Sequence, residues 1–196
     1  MKTRHLPLFP VSIAASFVLL SPVLLADAIT WDAGGVADKN WSTINNWSDN
    51  AAATGDDVTF NATGALTSGS TNTVDASESI ASLSYKQESA TLQHTTAIAA
   101  GQTLAVTGNF LLAGNATATT ATNVALTGST GTLTVGGTLF QVGQTTPTAG
   151  SPTNSLDMSG LGTLAANLGA TGIFRLGATN TTTSGAQATV KLAATS

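Results

Sequence analysis

Two stretches of the chain, TLAVTGNFLLAG at residues 103–114 and TLTVGGTLFQVG at residues 132–143, are near-copies of one another. They are offset by 29 residues, with five identities in twelve positions, and their apolar positions coincide as well as Gly and Thr. A weaker third copy, GIFRLG at residues 172–177, places its final Gly 34 residues after that of the second. Offsets of about 20 to 50 residues are typical of solenoids, in which each repeat buries its apolar face by stacking on the next.

Equivalent residues of successive copies are therefore expected to lie one above the other. Gly114 and Gly143 would then occupy turns, where a positive φ is tolerated. The apolar pairs that we expect to stack are Leu104 on Leu133 and Val106 on Val135.

The rest of the chain also has the pattern of short strands, and no segment of ten or more residues shows a helical period with caps. We predict an all-β fold, most simply an elongated, right-handed parallel β-helix, a type of β-solenoid. A β-sandwich is the alternative, since short strands with Gly-rich turns permit it as well. Inward-facing alternations are predicted at Val58/Phe60, Ala81/Leu83/Tyr85, Leu104/Val106, Val124/Leu126, Leu133/Val135, Phe174/Leu176 and Val190/Leu192.

The N-terminus has the pattern of a secretory signal peptide over residues 1–28. Lys2 and Arg4 precede an apolar run at residues 11–25, and Ala26-Asp27-Ala28 follows. The run is shorter than the roughly 20 residues that span a bilayer, so we expect cleavage after Ala28 and no membrane span in the mature chain. The predicted location is secreted: extracellular, at the cell surface or associated with the outer membrane.

Composition excludes several classes of function. Charged residues make up 8% of the sequence, and there is no cysteine, which removes disulfides and thiolate zinc sites. Nucleic-acid binding requires clustered basic charge. No such cluster is present, because the basic residues left after cleavage are the widely spaced Lys39, Lys86, Arg175 and Lys191.

Residues 29–62 differ from the predicted repeat region at residues 63–196, because they contain all three tryptophans: Trp31, Trp41 and Trp47. The first unit of a solenoid lacks a neighbour on one side, so we interpret this segment as an N-terminal cap. Its indoles would be buried, with each N–H group paired. The alternative is that Trp31, Trp41 and Trp47 bind a ligand by stacking against sugars.

Few residues are candidates for chemistry. Asp56 and Asp57 are adjacent carboxylates, but neighbouring strand residues point to opposite faces and would not share one glycosidic bond. His94, flanked by Gln93 and Thr95, is expected to be a surface strand residue. We predict no catalytic residue, no metal site and no cofactor, and we interpret Asp32, Asp38, Asp49, Asp56 and Asp57 as turn formers and not as calcium ligands.

Several segments resemble the N-terminal region of bacterial secreted or surface proteins with autotransporter-associated β-strand repeats. These are ITWDAGG at 29–35, NWSTINNWS at 40–48, GDDVTFN at 55–61 and TVDASESIASLSY at 73–85, followed by the two near-copies. The resemblance implies a long exported chain of a Gram-negative bacterium that folds as a right-handed β-helix. Members often end in an outer-membrane barrel or a sorting signal; neither pattern precedes Ser196, so we expect a truncated repeat region.

Together these features predict a non-enzymatic, extracellular structural or adhesin-like passenger scaffold. A carbohydrate-binding module that uses the tryptophan segment is the second hypothesis, and a polysaccharide-cleaving β-helix is the third. The expected partners are a cell-surface or extracellular polysaccharide and further copies of the chain. Self-association would occur through an open C-terminal strand edge that carries Val190 and Leu192.

Overall fold

The structure, a computed structural model, describes residues 26–35, 38–62, 69–86, 91–113, 120–144, 153–177 and 187–192. Within these residues the fold is all-β, with one short 3-10 turn at Ile44–Asn46. The strands are β1 (Ala28–Thr30), β2 (Asp57–Phe60), β3 (Thr71–Val74), β4 (Glu78–Ile80), β5 (Ser82–Tyr85), β6 (Leu92–Ile98), β7 (Thr103–Val106), β8 (Phe110–Leu112), β9 (Thr122–Val135), β10 (Leu139–Val142), β11 (Asn154–Ala166), β12 (Ile173–Leu176) and β13 (Ala188–Lys191).

The strands form two sheets in which neighbouring strands are parallel. One sheet has the order β1-β2-β5-β8-β10-β12, and the other has the order β13-β11-β9-β6-β3, with β4 and β7 joined to it. The first part of β9 pairs with β6 and its last part with β7, so β9 spans two faces of its own turn. The chain thus winds through about four turns of a three-faced β-solenoid, as the repeats predict, and the β-sandwich alternative is wrong. The right-handed sense stays a prediction.

The register between β7 and β9 is the one that the repeats predict. Leu104 pairs with Leu133, and Val106 pairs with Val135. All four side chains are buried, because their alternation along each strand directs them to the interior of the coil.

In the second half of the near-copies, the observed register differs from the predicted register by one residue. Phe110 pairs with Phe140, so the offset grows by one residue in the turn after Val135. The position equivalent to Gly143 is therefore Ala113 and not Gly114, which lies outside the described residues. Ala113 and Gly143 have φ values of 57° and 106°, so the turn requires a positive φ even where the residue has a Cβ atom.

Aromatic residues stack in two columns of paired positions on the first sheet, with Phe60 and Tyr85 in one column and Phe110, Phe140 and Phe174 in the other. The rings of Phe60 and Tyr85 stack at 4.9 Å, those of Phe110 and Phe140 at 4.5 Å, and those of Phe140 and Phe174 at 4.8 Å. These distances match the strand spacing of about 4.8 Å, since in-register stacking places equivalent side chains one strand apart. Phe60, Tyr85, Phe110 and Phe140 are fully buried members of the core.

The last described turn does not bury the residues that were predicted to face inward. Phe174 is 47% exposed and Leu176 is 51% exposed. Val190 is half-buried, and Leu192 is exposed. The reason is that, within the described part of the chain, no strand pairs with the outer edges of β12 and β13.

The prediction of an elongated molecule is wrong for this stretch of chain. One turn uses 25 residues between Asp57 and Ser82 and 34 residues between Gln141 and Arg175. At about 4.8 Å per strand, the six strands of the first sheet rise only about 24 Å. Each turn is long and the stack is short, so a single copy is not a rod.

The segment with the tryptophans lies against the first turn. Trp41 donates its backbone N–H to the Thr73 carbonyl at 2.8 Å, and Thr73 donates to the Lys39 carbonyl at 2.8 Å, so the outer edge of β3 is covered. Residues on both sides of the predicted cleavage site contribute to β1, because Ala28 pairs with Asp57 and Ile29 with Val58.

The predicted signal peptide falls almost entirely outside the described residues, and its cleavage stays a prediction. In the part of the chain that the structure describes, no helix has the length and apolarity required to cross a membrane.

Candidate functional site

The three tryptophans of residues 29–62 pack together in one buried cluster. Trp31 and Trp47 form an antiparallel bridge, and their rings lie edge to face at 4.9 Å. Trp41 contacts Trp47 in the same geometry at 5.0 Å. The exposed fractions of Trp31, Trp41 and Trp47 are 0%, 2% and 0%. Because sugar stacking requires an accessible ring face, these buried residues present no stacking platform. Burial of the three rings is what the cap interpretation expects, and that interpretation stays a prediction.

Two of the three indole N–H groups are paired, as expected. Trp41 Nε1 donates to Asn72 Oδ1 at 2.7 Å, and Trp47 Nε1 donates to the Trp41 carbonyl at 2.9 Å. Trp31 Nε1 is buried and has no partner among the described residues, so the expectation is wrong there. A buried donor without a partner is costly, and in native proteins it commonly marks a bound water or ligand.

Carboxylates fix the tryptophan segment in place. Asp38 accepts from the backbone N–H of Asn40 at 3.0 Å and from the Thr43 hydroxyl at 2.8 Å, and these bonds hold its pKa below the usual value. Asp75 accepts from the Ser42 hydroxyl at 2.6 Å and from the Ser42 N–H at 3.0 Å. Burial raises the pKa of Asp75, but the bonds from Ser42 outweigh it, so the net shift is downward.

Two further carboxylates of residues 29–62, those of Asp32 and Asp49, act locally. Asp32 accepts the N–H of Gly34 at 2.9 Å, and Asp49 accepts that of Ala51 at 3.1 Å, which is the turn-forming geometry expected of Asp. Within the described residues, no three acidic or histidine side chains converge as a metal site would require.

Asp56 and Asp57 have separate partners. Asp56, which precedes β2, accepts the Asp27 N–H at 3.2 Å, whereas Asp57 accepts the Ser82 hydroxyl. Each carboxylate joins a different pair of neighbouring segments. These contacts agree with the structural role that was expected of the two residues.

His94 is buried, and the prediction of a surface strand residue is wrong. It is 1% exposed and packs 5.6 Å from Tyr85 and 5.9 Å from Phe60. The backbone N–H of Ser70 donates to Nδ1 at 3.2 Å, and Ser70 Oγ lies 3.1 Å from the same atom. Burial lowers the pKa of His94 to about 4, so the ring is neutral at pH 7. Since Nδ1 accepts a hydrogen bond, the proton of the neutral ring is on Nε2, which is buried without a described partner.

The sequence did contain a signal for this burial. In LQHTTAI at 92–98, His94 shares the inward period with Leu92, Thr96 and Ile98. Its contact with Ser70 could not be predicted, because the two residues are 24 apart and meet through the register of the coil.

A recess of about 300 Å³ opens beside the tryptophan cluster. Gly69 belongs to its wall and has a φ of 113°, where a Cβ atom would collide with the Gln93 backbone. The described residues that line the recess are Trp31, Ala33, Lys39, Gly69, Ser70 and Thr71. This recess, next to Ser70–His94, is the best candidate for a functional site in the described chain.

Comparisons of this chain with protein-family models, with curated proteins and with solved structures found no match. The resemblance to autotransporter-associated repeats therefore stays a prediction from the sequence.

Proposed function

We propose that this protein is a non-enzymatic, extracellular structural or adhesin-like passenger scaffold. The observation that carries the proposal is a stack of parallel turns that is covered at its N-terminal end and has an apolar C-terminal edge. Such a stack is stabilised by contacts between neighbouring turns, and it presents its flanks as extended surfaces.

The outward surface supports this function. On the face formed by β7 and the last parts of β9 and β11, paired positions are occupied by Thr103, Thr132 and Thr163. Short hydroxyl side chains at the strand spacing give a regular, uncharged surface. Such a surface suits adhesion to a hydrated polymer better than it suits catalysis, which depends on titratable groups.

The last described turn supports self-association as part of the function. Its large exposed apolar residues are Ile173, Phe174, Leu176 and Leu192. Strand edges with apolar side chains are templates for pairing with another chain. Because the N-terminal end is covered, copies that meet through this edge would form closed pairs and not fibres.

Export can be tested in a Gram-negative host that expresses the full chain. We expect a product that begins at Ile29 and lies outside the inner membrane. Leu19→Arg, which interrupts the apolar run of the signal peptide, is expected to retain the full-length chain in the cytoplasm. Wild-type chain of unprocessed mass in the cytoplasm would contradict this part of the proposal.

The scaffold function can be tested with beads that carry the purified chain 29–196. We expect the beads to be retained on a panel of bacterial-surface and extracellular polysaccharides, and we expect no new reducing ends in the polysaccharide. Release of reducing ends that is lost in the Asp56→Asn variant would instead identify a polysaccharide-cleaving enzyme. Beads that are not retained on any member of the panel would contradict the adhesive function.

A further inference from the structure

The last described turn of the coil contains a strand, β12, with one free edge. Within the described residues, β12 pairs with β10 alone. The N–H groups of Ile173 and Gly177 donate towards β10, each at 2.8 Å. Backbone groups alternate in direction along a strand, so the N–H and C=O groups of Phe174 and Leu176 point to the free edge. A row of such groups is a template for one more strand.

The end of the coil has the shape of a step that fits a second, inverted copy. β13 is the last described strand on its face, whereas the last described strand on the neighbouring face is the end of β11, residues 163–166, one turn earlier. A two-fold axis perpendicular to the coil and centred on β12 turns β12 antiparallel to its own copy and exchanges the other two faces. β13 of each copy then lies beside residues 163–166 of the other, so the raised strand of one copy fills the lower step of the other. A two-fold contact of this kind is self-complementary and closed.

The charge of Arg175 selects the register of this contact. Phe174 and Leu176 lie inward, because they pair with buried residues of β10. Two registers place Phe174 opposite an inward residue of the second copy's β12. In one of them Phe174 faces Leu176, and Arg175 faces Arg175. In the other Phe174 faces Phe174, and Arg175 faces the apolar Ile173. Like charges directly opposite one another in a sheet are destabilising, which favours the second register.

We propose that two copies join as a closed pair in which the β12 strands meet antiparallel, with Phe174 opposite Phe174 on a two-fold axis. These two residues exchange both of their N–H···O bonds, since their backbone groups point to the free edge. The phenyl column of Phe110, Phe140 and Phe174 then continues into the second copy. This inference rests on the self-association proposed above, and it adds the orientation and register of the two copies.

Two glutamate variants at almost equally exposed apolar positions test the register. Ile173 is 46% exposed and Phe174 is 47% exposed. Ile173→Glu places a carboxylate opposite Arg175 of the second copy, so we expect sedimentation equilibrium of the chain 29–196 to retain the dimer. Phe174→Glu places two carboxylates opposite one another, and we expect a monomer. Loss of the dimer in Ile173→Glu would overturn the register, because it would show an apolar patch without specific pairing.

Cysteine cross-linking measures the register directly, because the chain has no cysteine of its own. Ile173 and Arg175 of the second copy form a non-hydrogen-bonded pair, with Cα atoms about 4.5 Å apart and within disulfide range. The two copies of Arg175 lie on a diagonal, about 7 to 8 Å apart. Mild oxidation of an equimolar mixture of Ile173→Cys and Arg175→Cys chains should therefore give covalent dimers with one chain of each kind. Either variant alone should stay reduced.

The outcomes separate this inference from the proposed self-association. A wild-type chain that sediments as a monomer contradicts both. A wild-type dimer in which Arg175→Cys cross-links alone as readily as in the mixture places Arg175 opposite Arg175, and overturns the proposed register only. A wild-type dimer with no cross-link in the mixture also overturns it, and assigns the association to another arrangement of the two copies.

Discussion

At the residue scale, the turns that follow β8, β10 and β12 each require one residue with a positive φ, and these residues occupy equivalent positions in successive turns of the coil. Ala113, Gly143 and Gly177 have φ values of 57°, 106° and 81° and follow β8, β10 and β12. Gly177 donates its N–H to the Val142 carbonyl at 2.8 Å, so the column lies within the strand ladder. Glycine tolerates this conformation at no steric cost, whereas alanine is strained by about 1 to 2 kcal/mol.

Gly143→Ala should lower the free energy of unfolding by about 2 to 4 kcal/mol, since the strain of the turn adds to a close contact. A Cβ atom at Gly143 would lie 3.1 Å from the Gly177 Cα and 3.3 Å from the Ala188 Cβ. Gly101→Ala is the matched control, because Gly101 has a φ of 72° with no atom within 4 Å of the added Cβ. Urea unfolding measures both variants. Equal losses would show that the contact with the next turn has no effect.

Burial of His94 makes stability depend on pH. The pKa of His94 falls from 6.5 to about 4 on folding, so between these values the unfolded chain binds more protons than the folded one. Stability is therefore highest above pH 6.5 and falls as the pH decreases towards 4, by up to about 3 kcal/mol in total.

The measurement is urea unfolding of wild-type chain and His94→Gln at pH 7.5, 6.5, 5.5 and 4.5. Carboxylates titrate equally in both proteins, so the difference between the two profiles reports His94. We expect the difference to shrink as the pH falls. A constant difference would mean that the ring takes up its proton in the folded state near its ordinary pKa.

The residue scale is where sequence analysis predicted least. The period of β6 indicates that His94 faces inward, but the donor that it meets depends on three-dimensional register. The unpaired N–H of Trp31 has no signature in the sequence, because it reflects a missing partner. The carboxylates at Asp32, Asp38 and Asp49 were predictable as turn formers, since their contacts are local.

At the element scale, the aromatic stack of the first face links consecutive turns. Phe140 is fully buried between Phe110 and Phe174, in contact with both rings. Phe140→Ala should cost about 3 to 5 kcal/mol, because it removes transfer energy and leaves a cavity. Phe174→Ala, at a position that is 47% exposed, should cost less than half as much. Denaturant unfolding compares the two, and equal losses would contradict a stack that depends on neighbours on both sides.

At the element scale, aligning the two near-copies without a gap predicts only part of the strand register. The first four residues of each near-copy pair as predicted, since alternating apolar residues fix the strand register. The extra residue in the following turn was not predictable from self-similarity, because Gly-rich turns match at either offset. Stacking of Phe110 on Phe140 decides the true register.

At the scale of the whole molecule, the two ends of the stack differ. Leu176 and Leu192 are exposed at one end, whereas the tryptophan segment covers the other. Sedimentation equilibrium of the chain 29–196 should show a monomer–dimer equilibrium without larger species. Leu176→Glu should shift it to monomer, and Ile44→Glu, at a similarly exposed position of the covered end, should leave it unchanged. A wild-type chain that stays monomeric at high concentration would contradict association through this edge.

The sequence predicted the class of fold at this scale, because repeat offsets and period-2 alternation are global features. It did not predict the proportions of the molecule. Turns of 25 to 34 residues make each layer wide, and the stack is short, so the expected rod is absent. Small-angle X-ray scattering of the monomer therefore discriminates poorly between a solenoid and another compact β fold.

Cysteine cross-linking tests the stacked parallel turns most directly, because the chain has no cysteine of its own. Thr103 pairs with Thr132, and Thr132 pairs with Thr163. Adjacent strands lie about 4.8 Å apart, within disulfide range, whereas two strand spacings exceed the limit of about 7 Å. Mild oxidation of Thr103→Cys/Thr132→Cys should give an intramolecular disulfide in nearly all molecules, and Thr103→Cys/Thr163→Cys should stay reduced. A second pair that oxidises as readily as the first, or a first pair that stays reduced in folded protein, would contradict the solenoid.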